Sequence, residues 1–85
     1  MRTLILTESQ ARQLVSQKSL RGSEIFGPTD ALHDNNIMTT NEHIKVSVPS
    51  RNVSGEFRIV NFRFTSHAGA YANDIEYTFQ PWEDY

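Results

Sequence analysis

The sequence predicts a single α+β domain over residues 1–85, in which a short strand and one helix precede a three-stranded antiparallel β-meander, with the helix packed on one face. Two observations carry this prediction. Residues 43–48 and 74–80 alternate apolar and polar side chains, as half-buried strands do. A helix start signal directly follows the first apolar run, Leu4–Leu6. The length of 85 residues allows one hydrophobic core.

Composition indicates a folded chain without covalent cross-links. Leu, Ile, Val and Phe make up 21 of the 85 residues, which exceeds the level typical of disordered chains. The chain has no cysteine, which excludes disulfides, a thiolate nucleophile and a cysteine-ligated zinc. The first residues lack the apolar length of a secretory signal, and no apolar run approaches the roughly 20 residues of a membrane-spanning helix. We therefore expect a soluble, cytoplasmic protein that does not enter a membrane.

The first strand is expected at Thr3–Leu6, and a helix should begin directly after it. Thr7 can act as the N-cap, and Gln10, three residues later, can complete a capping box. The helix is expected to run to about Ser19. Its apolar stripe comprises Ala11, Leu14 and Val15. Because this stripe is narrow, the helix should cover a sheet rather than build a core alone.

Residues 21–42 show no sustained period and are predicted to form an irregular connection. Because a structureless loop of this length is uncommon in a compact domain, a helical turn is expected at residues 30–34, capped by Thr29. Five apolar side chains should anchor the segment to the core: Ile25, Phe26, Leu32, Ile37 and Met38.

The stretch 55–64 is longer than the two regular strands and breaks the alternation. Phe57 and Ile59 lie on one face of an ideal strand, whereas Phe62 and Phe64 lie on the other. A β-bulge at Val60 or Asn61 would bring all four onto the core side. Three charged residues would then point outward: Glu56, Arg58 and Arg63. The alternative is a central strand that is covered on both faces.

No catalytic or metal-binding constellation stands out. The three histidines are scattered, and no pair has the spacing of metal ligands on a helix. The four glycines are dispersed and do not form a phosphate-binding loop. We therefore expect no catalytic residues, no metal and no cofactor. An enzyme would require His33, Asp34, His67 and Asp74 to converge in a cleft.

Charge is distributed unevenly, although the net charge is only −2. From Lys45 to Arg63 there are four basic residues and one acidic residue, which sum to +3. From Asp74 onward there are four acidic residues and no basic one, which sum to −4. These regions could meet partners or each other. In a sheet, Asp74 and Glu76 can lie across from Arg58 or Arg63 as cross-strand charge pairs.

Residues 82–85 combine two aromatic and two acidic side chains directly after Pro81, which should end the last strand. Tryptophan and tyrosine are enriched among the residues that anchor interfaces. Either Trp82 folds back as a lid over the core, or this segment docks on a partner. The predicted partner-binding residues are Lys45, Arg58, Arg63, Trp82 and Tyr85.

Residues 55–62 resemble the core octamer of RNA-recognition motifs at three positions, Phe57, Val60 and Phe62. The octamer's glycine, small residue and aromatic residue are replaced here by Glu56, Arg58 and Ile59. The resemblance implies a weak nucleic-acid-binding module that uses the basic outer strand face.

These observations favour a non-enzymatic small protein-binding module. A phage or mobile-element inhibitor or accessory factor, which occludes a host protein in the host cytoplasm, is the kind of protein we expect. One alternative is a small structural subunit, such as a virion decoration protein, whose edge strands pair into a homo-oligomer. The nucleic-acid-binding module is the other alternative, and the net negative charge makes it the weaker one.

Overall fold

A computed structural model of the chain describes residues 1–27, 29–65 and 74–84. In chain order its elements are β1 (Arg2–Ile5), α1 (Glu8–Gln17), β2 (Ser19–Arg21), α2 (Gly22–Phe26), β3 (His43–Val48), β4 (Val53–Thr65) and β5 (Asp74–Pro81). Short 3₁₀ turns occupy Asp34–Asn36, Pro49–Arg51 and Trp82–Asp84.

The strands form one mixed sheet in the order β1-β3-β4-β5-β2. β3, β4 and β5 pair antiparallel in succession. β1 lies parallel to β3 at one edge, and β2 lies antiparallel to β5 at the other. The predicted α+β class is confirmed. The sheet is larger than the predicted three-stranded meander, because two strands from the first quarter of the chain add to its two edges.

Clear backbone signals set both ends of α1. Thr7 Oγ1 accepts a hydrogen bond from the Gln10 N–H at 3.2 Å, and the Thr7 N–H donates to Gln10 Oε1 at 3.0 Å. This is the predicted capping box. Lys18 adopts a left-handed conformation with φ 61°, so the helix ends at Gln17 and the chain turns directly into β2. The helix is therefore shorter than the predicted range, which extended to Ser19.

The apolar stripe of α1 is narrower than predicted. Leu14 is buried in the core, whereas Val15 is 76% exposed. Val15 instead borders an apolar groove between α1 and the β3–β4 hairpin, which Val48 and Val53 also line. Only Leu14 therefore connects α1 to the fully buried core.

Residues 21–42 are more regular than predicted. Helical structure forms in α2, at the start of the segment, and in the 3₁₀ turn Asp34–Asn36. At the predicted position, residues 30–34, the chain forms a hydrogen-bonded turn in which the His33 N–H donates to the Asp30 carbonyl at 3.2 Å. α2 begins at Gly22, where the carboxylate of Asp74 stabilises its first turn by accepting hydrogen bonds from Ser23. This contact joins two distant parts of the chain, so no local pattern reveals it.

Most of the predicted anchors of this segment reach the core. Met38 is fully buried. Ile25, Phe26 and Ile37 pack against the core while partly buried. Leu32 does not reach it, because the neighbouring Ala31 faces inward and is buried instead.

The core lies on one face of the sheet. Its buried strand residues include Leu4, Ile44, Val46, Ile59, Ile75, Tyr77 and Phe79. Leu14 of α1 belongs to the same cluster, and Ile25 and Phe26 of α2 pack against it. Both helices therefore cover this face, which we call the covered face. The opposite face carries no α-helix among the described residues and is called the open face. Its strand residues include His43, Lys45, Glu56, Arg58, Arg63, Glu76 and Gln80.

The register of β4 against β5 shifts at Val60, which confirms the predicted β-bulge. Ile59 is fully buried, and Phe57 and Phe62 pack against the core while partly buried. The prediction that Phe64 joins them is wrong, because its side chain is 67% exposed. Phe64 lies in the part of β4 that extends beyond its pairing with β3.

Tyr77 brings a hydroxyl group into the core. The side chain is fully buried, and its hydroxyl oxygen accepts a hydrogen bond from the Met38 N–H at 3.2 Å. Burial raises the pKa of Tyr77 above its ordinary value of 10.0, because the phenolate would lose its hydration. Ionisation of this residue therefore opposes the fold.

Raising the pH above 10 is expected to destabilise the protein through Tyr77. In this range the unfolded chain has lost the Tyr77 proton while the folded chain keeps it. The unfolded state then binds fewer protons, so the free energy of unfolding falls with pH by up to about 1.4 kcal/mol per unit. Urea unfolding between about pH 9 and 11 should show a steeper loss for the wild type than for Tyr77→Phe. Equal slopes would contradict this account.

Candidate functional site

Four of the five predicted partner-binding residues lie on the open face: Lys45, Arg58, Arg63 and Trp82. Arg63 lies further along β4 and outside the group formed by the other three. Lys45 and Arg58 each precede a buried core residue on their strands, so alternation directs them away from the core. Arg63 pairs across the sheet with Glu76 of the same face. Tyr85 lies outside the described residues.

Trp82 is held on this face between two flat groups. Its ring stacks on the imidazole of His43, with centroids 3.7 Å apart and planes inclined by 9°. The guanidinium carbon of Arg58 lies 3.9 Å from the centroid of the Trp82 ring. Two groups at these distances would overlap on one side of the ring, so they occupy opposite sides. The tryptophan is therefore fixed by stacking on one side and a cation–π contact on the other.

Strand register brings these three side chains together. His43 of β3 lies opposite Arg58 of β4, and Arg58 lies opposite Gln80 of β5. Trp82 follows Gln80 by two positions and lies in the first position of the 3₁₀ turn after β5. Pro81 ends β5, and the 3₁₀ turn that follows brings the indole back across β4 and β3.

Arg58 is less exposed than its outward position on β4 led us to expect, and its predicted role in partner binding stays a prediction. Its side chain is on the open face, but Arg58 is only 8% exposed because the indole of Trp82 covers it. Trp82 itself remains partly exposed. Arg58 therefore positions the tryptophan. Trp82 does fold back onto its own chain, but onto the open face and not as a lid over the core.

The charges of the open face are largely paired. Arg63 Nε lies 2.9 Å from Glu76 Oε1, which confirms the predicted cross-strand pair. His43 Nε2 lies 2.7 Å from Glu56 Oε1. Exposed pairs contribute at most about 1 kcal/mol to stability, but the Arg63–Glu76 pair balances the charges of both side chains. Lys45 forms no ion pair with any residue in the described ranges.

A cavity of about 680 Å³ opens beside Trp82. It is lined by Lys45, by residues 54–57 of β4, by Met1 and by residues 81–83. Its volume lies within the range of roughly 300–1,000 Å³ that is usual for ligand sites. The open face thus offers a recess, with Lys45 on its lining, next to an immobilised indole.

The aromatic residues that resemble the RNA-recognition octamer lie on the covered face. Phe57 packs edge-to-face against Phe79, with centroids 6.4 Å apart. Phe62 packs against Tyr77, with centroids 6.5 Å apart. Base stacking in that family uses aromatic side chains of the sheet surface. Neither phenylalanine can serve this purpose on the open face.

Asp74 is an anchor of α2 in this fold. Its carboxylate accepts hydrogen bonds from the Ser23 N–H at 3.0 Å, from the Ile75 N–H at 2.8 Å and from the Ser23 hydroxyl. The prediction that Asp74 lies across from an arginine is wrong, because β5 begins here and Asp74 pairs in register with Thr65. His67, which an enzyme site would also require, lies outside the described residues. Within those residues, no group of three His, Asp or Glu side chains is arranged to hold a metal ion.

His43 and Glu56 also contribute to the site, although neither was predicted to bind a partner. The sequence pattern that indicates a position on the open face is the outward alternation of His43 with Lys45 on β3. The contact of His43 with Trp82 depends on the turn after Pro81, which cannot be inferred from strand alternation.

No family model, no curated protein and no solved structure matches this chain. In the described part of the chain, no helix has the length and apolar character needed to cross a membrane.

Proposed function

We propose that this protein is a non-catalytic protein-binding domain whose partner docks on the open face around Trp82. The observation that carries the proposal is the tryptophan ring, which is partly exposed and yet held between His43 and Arg58. Tryptophan and arginine dominate the energetics of many interfaces. A side chain that is fixed before binding also loses less conformational entropy when a partner docks.

The cavity beside Trp82 supports the same proposal. Interface anchors act best next to pockets that accept a side chain of the partner. Lys45, Glu56 and Glu83 line this cavity and give the aromatic site a charged border. An aromatic centre with a polar border is typical of non-obligate protein–protein interfaces.

Occlusion of the partner is the proposed consequence of binding. The molecule measures 35 × 27 × 24 Å, so one whole face offers an area on the order of the ~800 Å² that each protein contributes to a standard interface. A partner that forms an interface of standard size would therefore contact most of the open face. Binding would cover a similar area of the partner's own surface.

Photo-crosslinking from two positions tests the proposal. A photoreactive amino acid replaces Lys45 on the open face or, as the matched control, Ser9, which is exposed on α1. Irradiation in the native host should crosslink a specific protein from position 45 and not from position 9. Crosslinks that form only from position 9, or at neither position, would contradict the proposal.

The nucleic-acid-binding alternative has less support. Arg63 lies against Glu76, and Trp82 covers Arg58, so few cations of the open face remain to contact phosphates. Crosslinks from position 45 that reach only nucleic acid would favour this alternative.

A second candidate function, that of a self-assembling structural subunit, is favoured by the far end of β4. Beyond Arg58 this strand no longer pairs with β3, and no other strand of the described residues lies along that edge. Phe64 is largely exposed there. A strand edge beside an exposed aromatic side chain favours pairing with a second copy. Sedimentation equilibrium distinguishes the two candidates: concentration-dependent oligomers of the pure protein would favour self-assembly, and a monomer at high concentration would exclude it.

A further inference from the structure

We propose that the partner contributes an extended peptide segment, which adds to the sheet as a sixth strand along the unpaired part of β4. The proposal rests on the protein-binding function proposed above and names the kind of segment that the site accepts. It concerns residues 53–56, next to the cavity and to Trp82.

β4 is longer than its neighbour β5. The pairing between them stops at Phe57, opposite Pro81, whereas β4 already begins at Val53. Residues 53–56 pair with β3 along one edge. No strand of the described residues lies along the other edge. This edge continues the line of β5. After Pro81 the chain leaves that line in the 3₁₀ turn Trp82–Asp84, which contacts β4 and borders the cavity beside residues 54–57.

The backbone of this segment directs hydrogen-bonding groups toward the unpaired edge. The Ile59 N–H donates to the Glu42 carbonyl at 3.2 Å, so Ile59 faces β3. The register with β3 is continuous from the preceding residue, Arg58, to Val53, and successive residues of a strand direct their N–H and C=O groups to opposite edges. Ser54 and Glu56 therefore direct these groups away from β3. An extended peptide is the ligand that matches such a row of donors and acceptors.

Gly55 provides an independent indication. Its φ is not in the left-handed region, and an added Cβ would meet only the Phe57 ring at 3.5 Å, an ordinary contact. The fold therefore does not require glycine at this position. Glycine within a strand weakens it, and it often marks a place where another backbone approaches closely. Gly55 lies in the middle of the unpaired segment, where an added strand would approach.

An added strand would present its side chains to two different environments. On the covered face, Val53 and Val15 border an apolar groove of about 560 Å³. On the open face, Lys45 and Trp82 line the cavity. Because side chains alternate between the two faces, the segment should alternate apolar residues with polar or charged ones.

Two substitutions at Ser54 test the proposal. Ser54→Pro removes the N–H at the unpaired edge and keeps the pairing with β3, because Ser54 directs its N–H away from β3. Ser54→Ala, the matched control, removes the hydroxyl group and keeps the N–H. Binders are selected on the wild type from a displayed library of random heptapeptides. Their affinity for the wild type and both variants is then measured by fluorescence anisotropy.

We expect the selected peptides to alternate in polarity and to bind the wild type and Ser54→Ala equally. They should bind Ser54→Pro at least about tenfold more weakly, because one edge hydrogen bond is lost and the ring obstructs the approaching strand. Equal binding to both variants, or a selection that yields no binder, would overturn the proposal.

Amide exchange of the wild type provides a readout that does not depend on the folding of Ser54→Pro. A bound peptide should slow exchange at Ser54 and Glu56, and unchanged rates at both would overturn the proposal. The binding experiments also distinguish a failure of strand addition from a failure of the proposed open-face function. If position 45 crosslinks to a partner that Ser54→Pro still binds at full affinity, strand addition is wrong while the open-face function stands.

Discussion

Asp74→Ala is expected to lower the free energy of unfolding by about 3 kcal/mol. The residue is 2% exposed, and its carboxylate accepts hydrogen bonds from two backbone N–H groups and from the hydroxyl of Ser23. Alanine would leave the N–H groups of Ser23 and Ile75 without this acceptor. Each unsatisfied buried group costs roughly 1–3 kcal/mol. α2 would also lose the contact that connects its first turn to β5.

Graded substitutions separate the contributions to this loss. Asp74→Asn keeps the shape and one acceptor oxygen, so we expect an intermediate loss. Ser23→Ala removes only the hydroxyl donor and should cost about 1 kcal/mol. Urea unfolding of the wild type and the three variants measures the differences. If Asp74→Ala is no less stable than Ser23→Ala, Asp74 does not anchor α2.

The predictable parts of the fold are those that local patterns determine. The capping box of Thr7, the alternation in β3 and β5 and the bulge at Val60 all follow from side chains close in sequence. β2 was not predicted, because it has three residues and only Leu20 is buried. Its position depends on the left-handed turn at Lys18 and on pairing with β5, which lies far away in the chain.

The candidate site was likewise predictable only where the local alternation of a strand determines it. Alternation correctly directed Lys45 and Arg63 to the open face. The burial of Arg58 could not be predicted, because it depends on a contact with Trp82 that spans two strands. The exposure of Phe64 has a related cause, since it reflects where β3 stops pairing with β4. Strand length and register, which are non-local properties, decide both outcomes.

Trp82→Ala is expected to weaken binding of the crosslinked partner by at least about thirtyfold, which corresponds to roughly 2 kcal/mol. The substitution removes the immobilised aromatic surface and one wall of the cavity. It also uncovers Arg58, which must then be hydrated. Trp82→Phe keeps a ring that can stack on His43 and should lose less affinity. Calorimetric titration measures both effects, and urea unfolding verifies that both variants are folded.

The measurement that tests the central claim most directly is this titration with one further variant, Leu32→Ala. Leu32 is an exposed apolar residue outside the open face, so its truncation controls for a general loss of apolar surface. We expect Trp82→Ala to lose at least about thirtyfold in affinity while Leu32→Ala binds like the wild type. Wild-type affinity of the folded Trp82→Ala variant would contradict the claim that the partner docks on the open face around Trp82.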